Sequence, residues 1–269
     1  MKKSICLLLF AGLFAVSCSS DDSGDTGASG NTYLPLNTGN FWVYDVENET
    51  SQTNGRDSLY IANDTLIGST TYKKFKTESL ANGFFSGALS GNGVRQIGTR
   101  LQLTGSTGFS FSEEFPVALS VSNFIFFDSE APSGTQLGIT TGSFSQATED
   151  GYTLSFDYTL AAVAGANSAS YTVPGGPSYT NVKAAQLNLT LKITAMFDFN
   201  GISIPVEVLP QQQVLASTQY YAQNIGAVYV DTNIEYHLAD QLSTFNITLP
   251  IPSSGSEHQE EVLDTYNVN

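Results

Sequence analysis

The stretch "AAQLNLTLKITAMFDFNGISIPVEVL" (184–209) decides the fold. Leu187, Leu189, Leu191 and Ile193 take alternate positions, with Asn188, Thr190, Lys192 and Thr194 between them. Successive side chains of a strand point to opposite faces, so this period of two puts the apolar set against a core and the polar set in water. Asn200-Gly201 follows, a pair suited to a type I′ turn because both residues tolerate positive φ. Ile202, Ile204, Val206 and Val208 then repeat the alternation on the return. The stretch predicts an antiparallel hairpin with one buried face.

The same pattern recurs outward from it. "FWVYDVE" (41–47) places Trp42, Tyr44 and Val46 on one face, and "SLYIA" (58–62), "TYKKFKTE" (71–78) and "VRQIGTRLQLT" (94–104) follow. Beyond the hairpin come "AVYVDTNIEYHL" (227–238) and "LSTFNITL" (242–249). Asn82-Gly83 reads as a turn. Helical spacing is scarce: the two candidates, 113–121 and 211–217, are short and are cut by Pro116 and Pro210. "VSNFIFFD" (121–128) differs from the rest, because Phe124 and Phe126 alternate with Ile125 and Phe127 and both faces are apolar. A strand of this kind is covered on both sides, which predicts a place in a filled core. The expected fold is all-β: one large antiparallel meander over 32–250, curved into a half-barrel or sandwich, with at most short helices. The polar residues 251–269 read as a C-terminal tail outside the domain.

Ahead of the domain, "MKKSICLLLFAGLFAVS" (1–17) has the parts of a secretory signal: Lys2 and Lys3, an apolar run from Ile5 to Val16, and small residues before the cut. The run falls short of the ~20 residues that a membrane-spanning helix needs. "AVSC" (Ala15–Cys18) resembles the lipobox of bacterial lipoproteins, with Ala15 where leucine is usual. That resemblance implies a lipid on Cys18 and anchoring in the outer membrane. Cys6 leaves with the signal, so Cys18 is the one cysteine of the mature chain and has no intrachain partner. Residues 18–31 lack large apolar side chains and read as a flexible tether, about 20 Å in span. Within it Ser19, Ser20, Asp21 and Asp22 resemble the export signal of surface lipoproteins in Bacteroidota-type bacteria. This implies display at the cell surface rather than on the periplasmic face.

Losing Lys2 and Lys3 takes the net charge from −15 to −17. Such a balance repels phosphate backbones, so nucleic acid is not expected as a partner.

Two further segments carry a family resemblance. "YLPLNTGNFWVYDVE" (33–47) and "YYAQNIGAVYVD" (220–231) resemble the opening and a later segment of a family of uncharacterised Bacteroidota lipoproteins. Asn224-Ile225-Gly226 stands where that family has Gly-Val-Gly. Some relatives resemble the half-barrel of outer-membrane lipoprotein carriers. The resemblance implies an address and a sheet, and it names no activity. Gly39 and Gly226 each precede a strand, where positive φ lets the chain turn in.

Residues that carry chemistry are few. His258 lies in the expected tail and His237 shares a polar face with Glu235. With no reactive cysteine, a zinc site built on His or Cys is not expected, and no Asp-x-Asp-x-Asp-Gly calcium loop is present. No nucleophile elbow or Gly-rich phosphate loop occurs, since "GISIP" (201–205) lacks the closing glycine. Glu113, Glu114, Asp128, Glu130, Glu149 and Asp150 lie in or beside expected loops, where paired acids could serve a glycosidase only if folding brought them together. No catalytic residue, cofactor or metal is therefore expected. Lys73, Lys74 and Lys76 form a basic cluster, read either as protection of an edge strand or as a contact for an anionic partner. Asp57-Ser58-Leu59 and Asp64-Thr65-Leu66 resemble acceptor sites for O-glycans at Ser58 and Thr65. The sequence thus implies a non-enzymatic binding or interaction module for a glycan or protein, anchored through Cys18. The alternative is a half-barrel holding an apolar ligand or lipid in the periplasm.

Overall fold

A computed structural model describes residues 32–49, 53–110, 116–147, 153–199, 202–240, 242 and 251–269. Cys18, Ser19, Ser20, Asp21 and Asp22 lie outside this set, as do Asn200-Gly201 and most of the stretch expected as a strand at 242–249. The described residues form an antiparallel meander of twelve strands that curls into a nearly closed barrel. In chain order they are β1 (Phe41–Asn48), β2 (Thr53–Ile67), β3 (Thr70–Thr77), β4 (Gly93–Ile97), β5 (Arg100–Ser110) and β6 (Pro116–Asp128). The second half comprises β7 (Gln136–Ala147), β8 (Thr153–Thr172), β9 (Ser178–Phe199), β10 (Ile202–Ala222), β11 (Gly226–His237) and β12 (Ser254–Asn267). One helix among the described residues, α1 (Phe84–Leu89), interrupts the series between β3 and β4.

The hairpin that announced the fold is β9–β10, paired from Phe199↔Ile202 upward. Leu187, Leu189, Leu191, Ile193, Val206 and Val208 are buried as the alternation requires, whereas Ile204, near the turn, is exposed. Trp42, Tyr44 and Val46 point inward from β1. Outward positions on the same and neighbouring strands carry Asp45, Glu47, Arg56 and Asp264, with Arg56 paired to both Asp45 and Asp264. Polar-out and apolar-in is the reverse of a membrane-spanning barrel.

The segment 251–269 corrects an expectation. It is not a tail: β12 lies between β1 and β11 and pairs with both. Its inward side carries Glu261 beside Leu263, so no apolar alternation marks it. The helix is also not where proline-bounded spacing put it. Residues 211–217 lie within β10 and 116–121 within β6, while Asn82-Gly83, read as a turn, instead leads into α1 with Gly83 as N-cap.

α1 has no side-chain cap of its own, and buried carboxylates from the sheet replace it. The Asp57 carboxylate accepts from the Asn82 and Gly83 amides at 2.8–3.0 Å. Gln259 accepts from the Phe84 amide, and Glu261 from the Phe85 and Ser86 amides and the Ser86 hydroxyl. At the other end Asn92 ties the Ala88 carbonyl to the Ser106 backbone of β5. Thus held, the helix inserts Phe85 between Tyr44 and Tyr221, edge-on to both rings.

The sheet's two free edges, β6 and β7, are consecutive in sequence and share no ladder among the described residues. They approach closely at one point: a Cβ on Gly138 would lie 2.5 Å from the Ile125 carbonyl oxygen. Phe124, Phe126 and Phe127 are all buried in the core, as expected, but β6 is an edge strand and the three rings share its inward side, so two-sided coverage is not what buries them. A register shift between Leu101 and Gln102 leaves Phe126 unpaired between Ile125 and Phe127, and this bulge lets consecutive phenylalanines turn inward.

Candidate functional site

The two segments that carried the family resemblance meet in space. Trp42 donates its indole N–H to the Ile225 carbonyl at 2.6 Å, the Tyr44 hydroxyl donates to the Ala227 carbonyl at 2.9 Å, and the Asn224 amide donates to the Thr32 carbonyl. Gly226 sits at φ +126, and a Cβ there would lie 2.6 Å from Trp42 Nε1. Both motifs therefore clasp the β1 and β11 ends of the barrel. Their role is structural.

The basic cluster also finds a different setting from the expected edge. β3 is flanked by β2 and β4, Lys73 pairs with Asp64, and Lys74 donates to the Gly91 carbonyl. Ser58 and Thr65 lie on β2, both half-buried, opposite Val43 of β1 and Tyr72 of β3 respectively. Of the candidate loop acids, Asp128 pairs with Arg100 at 3.0 Å and Glu130 faces Lys183 at 3.9 Å. Glu113, Glu114, Glu149 and Asp150 lie outside the described residues.

A denser constellation lies on the outward face of β10, β11 and β12. Val230 and Glu261 point into the barrel, so Tyr229, Asp231, His258 and Glu260 point out. Pairing sets Asp231 directly opposite Glu260 and Asn233 opposite His258. His258 Nδ1 lies 3.0 Å from a Glu49 oxygen, and its Nε2 lies 3.5 Å from Asp231 Oδ1. Asn233 donates to Asp231 Oδ1 at 2.8 Å, and the Tyr229 hydroxyl donates to Glu260 Oε1. The hydrogen bond with Glu49 raises the His258 pKa, and Asp231 adds to the shift.

Aromatic rings cover one flank of this constellation. Beyond a bulge at Ala164/Asn167 and a positive φ at Asn181, Tyr171 from the β8–β9 end stacks on Tyr220 at 4.3 Å and tilts toward Tyr229 at 6.4 Å. Tyr229 is thereby only 3% exposed although it faces outward. Burial, with the nearby carboxylates of Asp231 and Glu260 adding, pushes the Tyr171 and Tyr229 hydroxyls well above the usual phenol range. At the base of the same hairpin Tyr33, Asn167, Ser168, Asn181 and Lys183 line a depression of about 240 Å³. That is below the roughly 300–1,000 Å³ of drug-sized ligand pockets.

Sequence reasoning missed this constellation because His258 and Glu260 fell in the expected tail. One signal was present: Asp231, Asn233 and Glu235 of "VYVDTNIE" share a face, but their partners lie on another strand. The chain matches no family model, no curated protein and no solved structure.

Proposed function

We propose that the protein is a lipid-anchored lipoprotein of the outer membrane whose β-domain is a non-enzymatic binding module displayed at the cell surface. The observation that carries this reading is the filled interior. Trp42, Tyr44, Phe75, Phe85 and Tyr221 are all essentially inaccessible and occupy the space where a carrier barrel would hold cargo. Recognition then falls to the outward face, where Tyr171, Tyr220 and the acids around His258 offer aromatic area and hydrogen-bond acceptors to a glycan or protein. The lipobox-like Ala15–Cys18 and the acidic tether support the anchor and its export.

Protease shaving of intact cells tests the display, and Cys18→Ser tests the anchor. Shaving should remove the domain, and Cys18→Ser should release it into the soluble fraction. A domain spared on intact cells but cut in lysed ones would place it on the periplasmic face. A Cys18→Ser protein still extracted only by detergent would remove the lipid from the reading.

One observation favours the second reading, an apolar-ligand half-barrel. The inward positions of β7 (Thr140, Gly142, Phe144 and Gln146) are only half-covered, next to the unpaired seam. Retention of an apolar fluorescent probe, lost on Phe144→Ser, would support it.

A further inference from the structure

We infer that the outward face of β11 and β12 holds a first-row divalent cation, with His258 Nε2, Asp231 and Glu260 as its protein ligands. One donor atom from each of the three lies within 4.8 Å of the others, close enough to share one ion.

An independent feature of the sheet points the same way. Register sets Glu47 of β1 directly opposite Glu260 of β12, and Glu260 directly opposite Asp231 of β11. Three carboxylates therefore stand in a row across adjacent strands on one face, and like charges directly opposite one another destabilise a sheet. Among the described residues no lysine or arginine pairs with any of the three, and the one basic side chain beside them is His258, 3.5 Å from Asp231 and shared with Glu49. A bound cation would neutralise the row.

The surroundings prepare the donors. Glu49 at 3.0 Å from His258 Nδ1 orients the ring, leaving Nε2 toward Asp231. A carboxylate behind the far nitrogen of a ligating histidine is a recurrent outer-shell arrangement that sets the tautomer. Asn233 and Tyr229 each donate to one carboxylate oxygen, Asp231 Oδ1 and Glu260 Oε1 respectively, which fixes both acids, and Asp231 Oδ1 is also the oxygen 3.5 Å from His258 Nε2. One imidazole with two carboxylates selects the cation class. Hard Ca²⁺ and Mg²⁺ prefer oxygen alone, whereas Zn²⁺, Co²⁺ and Mn²⁺ accept the mixed set and complete it with water. This site is independent of where the protein is displayed.

The test is calorimetric titration of Zn²⁺ into the untagged full-length chain in detergent, repeated with millimolar Ca²⁺ present. The expected result is one Zn²⁺ per chain. His258→Ala and Asp231→Asn should each weaken binding at least tenfold, Glu49→Gln should weaken it by about tenfold or more, and His237→Ala should leave it unchanged. Circular dichroism verifies that each variant is folded, and the two ligand variants serve as mutual controls should either fail to fold. Absence of uptake overturns the proposal. So do folded His258→Ala and Asp231→Asn chains that bind like wild type, and so does displacement of Zn²⁺ by Ca²⁺, which would reduce the site to unselective negative charge.

Discussion

Gly226 shows how a single missing side chain can join two distant segments. Its φ of +126 lies where L-residues are strained, and its surface is filled by Trp42 and Leu34. Gly226→Ala should lower stability by about 2–4 kcal/mol. Backbone strain contributes roughly 1–3, and disturbance of the Trp42–Ile225 hydrogen bond adds about 1. Gly39 is the control: its φ is +90, yet a Cβ there would meet nothing within 4 Å. Gly39→Ala should therefore cost only the strain. Urea unfolding of both variants decides the matter, and equal losses would show that the Trp42 contact contributes nothing. The sequence made both glycines legible as turning points. It did not show that Gly226 is packed and Gly39 open, because that difference depends on a tryptophan 184 positions away.

At the scale of elements, α1 and β12 depend on one another. The helix has six residues, among them Gly87, and no cap of its own, so it would not persist alone. Its amides are met by Glu261, whose burial pushes the carboxyl up to about 7, with the Asp57 charge adding, against the hydrogen bonds from Phe85 and Ser86 that favour the carboxylate. In the unfolded chain the same group titrates near 4.5. Between these values the native state keeps a proton that the unfolded state has lost. This contribution to stability is therefore full below pH 4.5 and declines as pH rises to about 7, by a total on the order of 3 kcal/mol. Denaturant unfolding at pH 5 and pH 8 should show this loss in wild type and a distinctly smaller one in Glu261→Gln. Equal slopes would mean that Glu261 ionises normally. The same arrangement explains what the sequence hid. β9 and β10 were legible because their inward positions are leucine, isoleucine and valine over many residues. β12 was not, because an inward glutamate serving a helix nearly two hundred residues earlier looks like solvent-exposed charge. The Asp231–His258–Glu260 constellation was lost with it.

At the scale of the whole molecule, the last strand lies beside the first. β12 fills the gap between β1 and β11, so neither half of the sheet can be joined until the final residues are available. Every ladder on β1's outer flank, from Phe41↔Asn267 to Asn48↔Gln259, spans almost the full chain. Non-local pairing of this kind must meet the loop-closure cost before it gains contacts, and folding slows accordingly. Two outcomes follow for the purified protein. Refolding from urea should take milliseconds to seconds, as for β-proteins of high contact order, and a chain ending at Ser253 should not fold at all. In that truncation β1 and β11 become unpaired edges, the Phe84, Phe85 and Ser86 amides lose Gln259 and Glu261, and Phe85 loses its anchorage between Tyr44 and Tyr221. Stopped-flow fluorescence of Trp42, the chain's one tryptophan, reports the first outcome. Near-ultraviolet circular dichroism reports the second. A truncated chain that unfolds cooperatively would show that β1–β11 form a self-sufficient sheet, and that β12 only covers an edge instead of closing the fold.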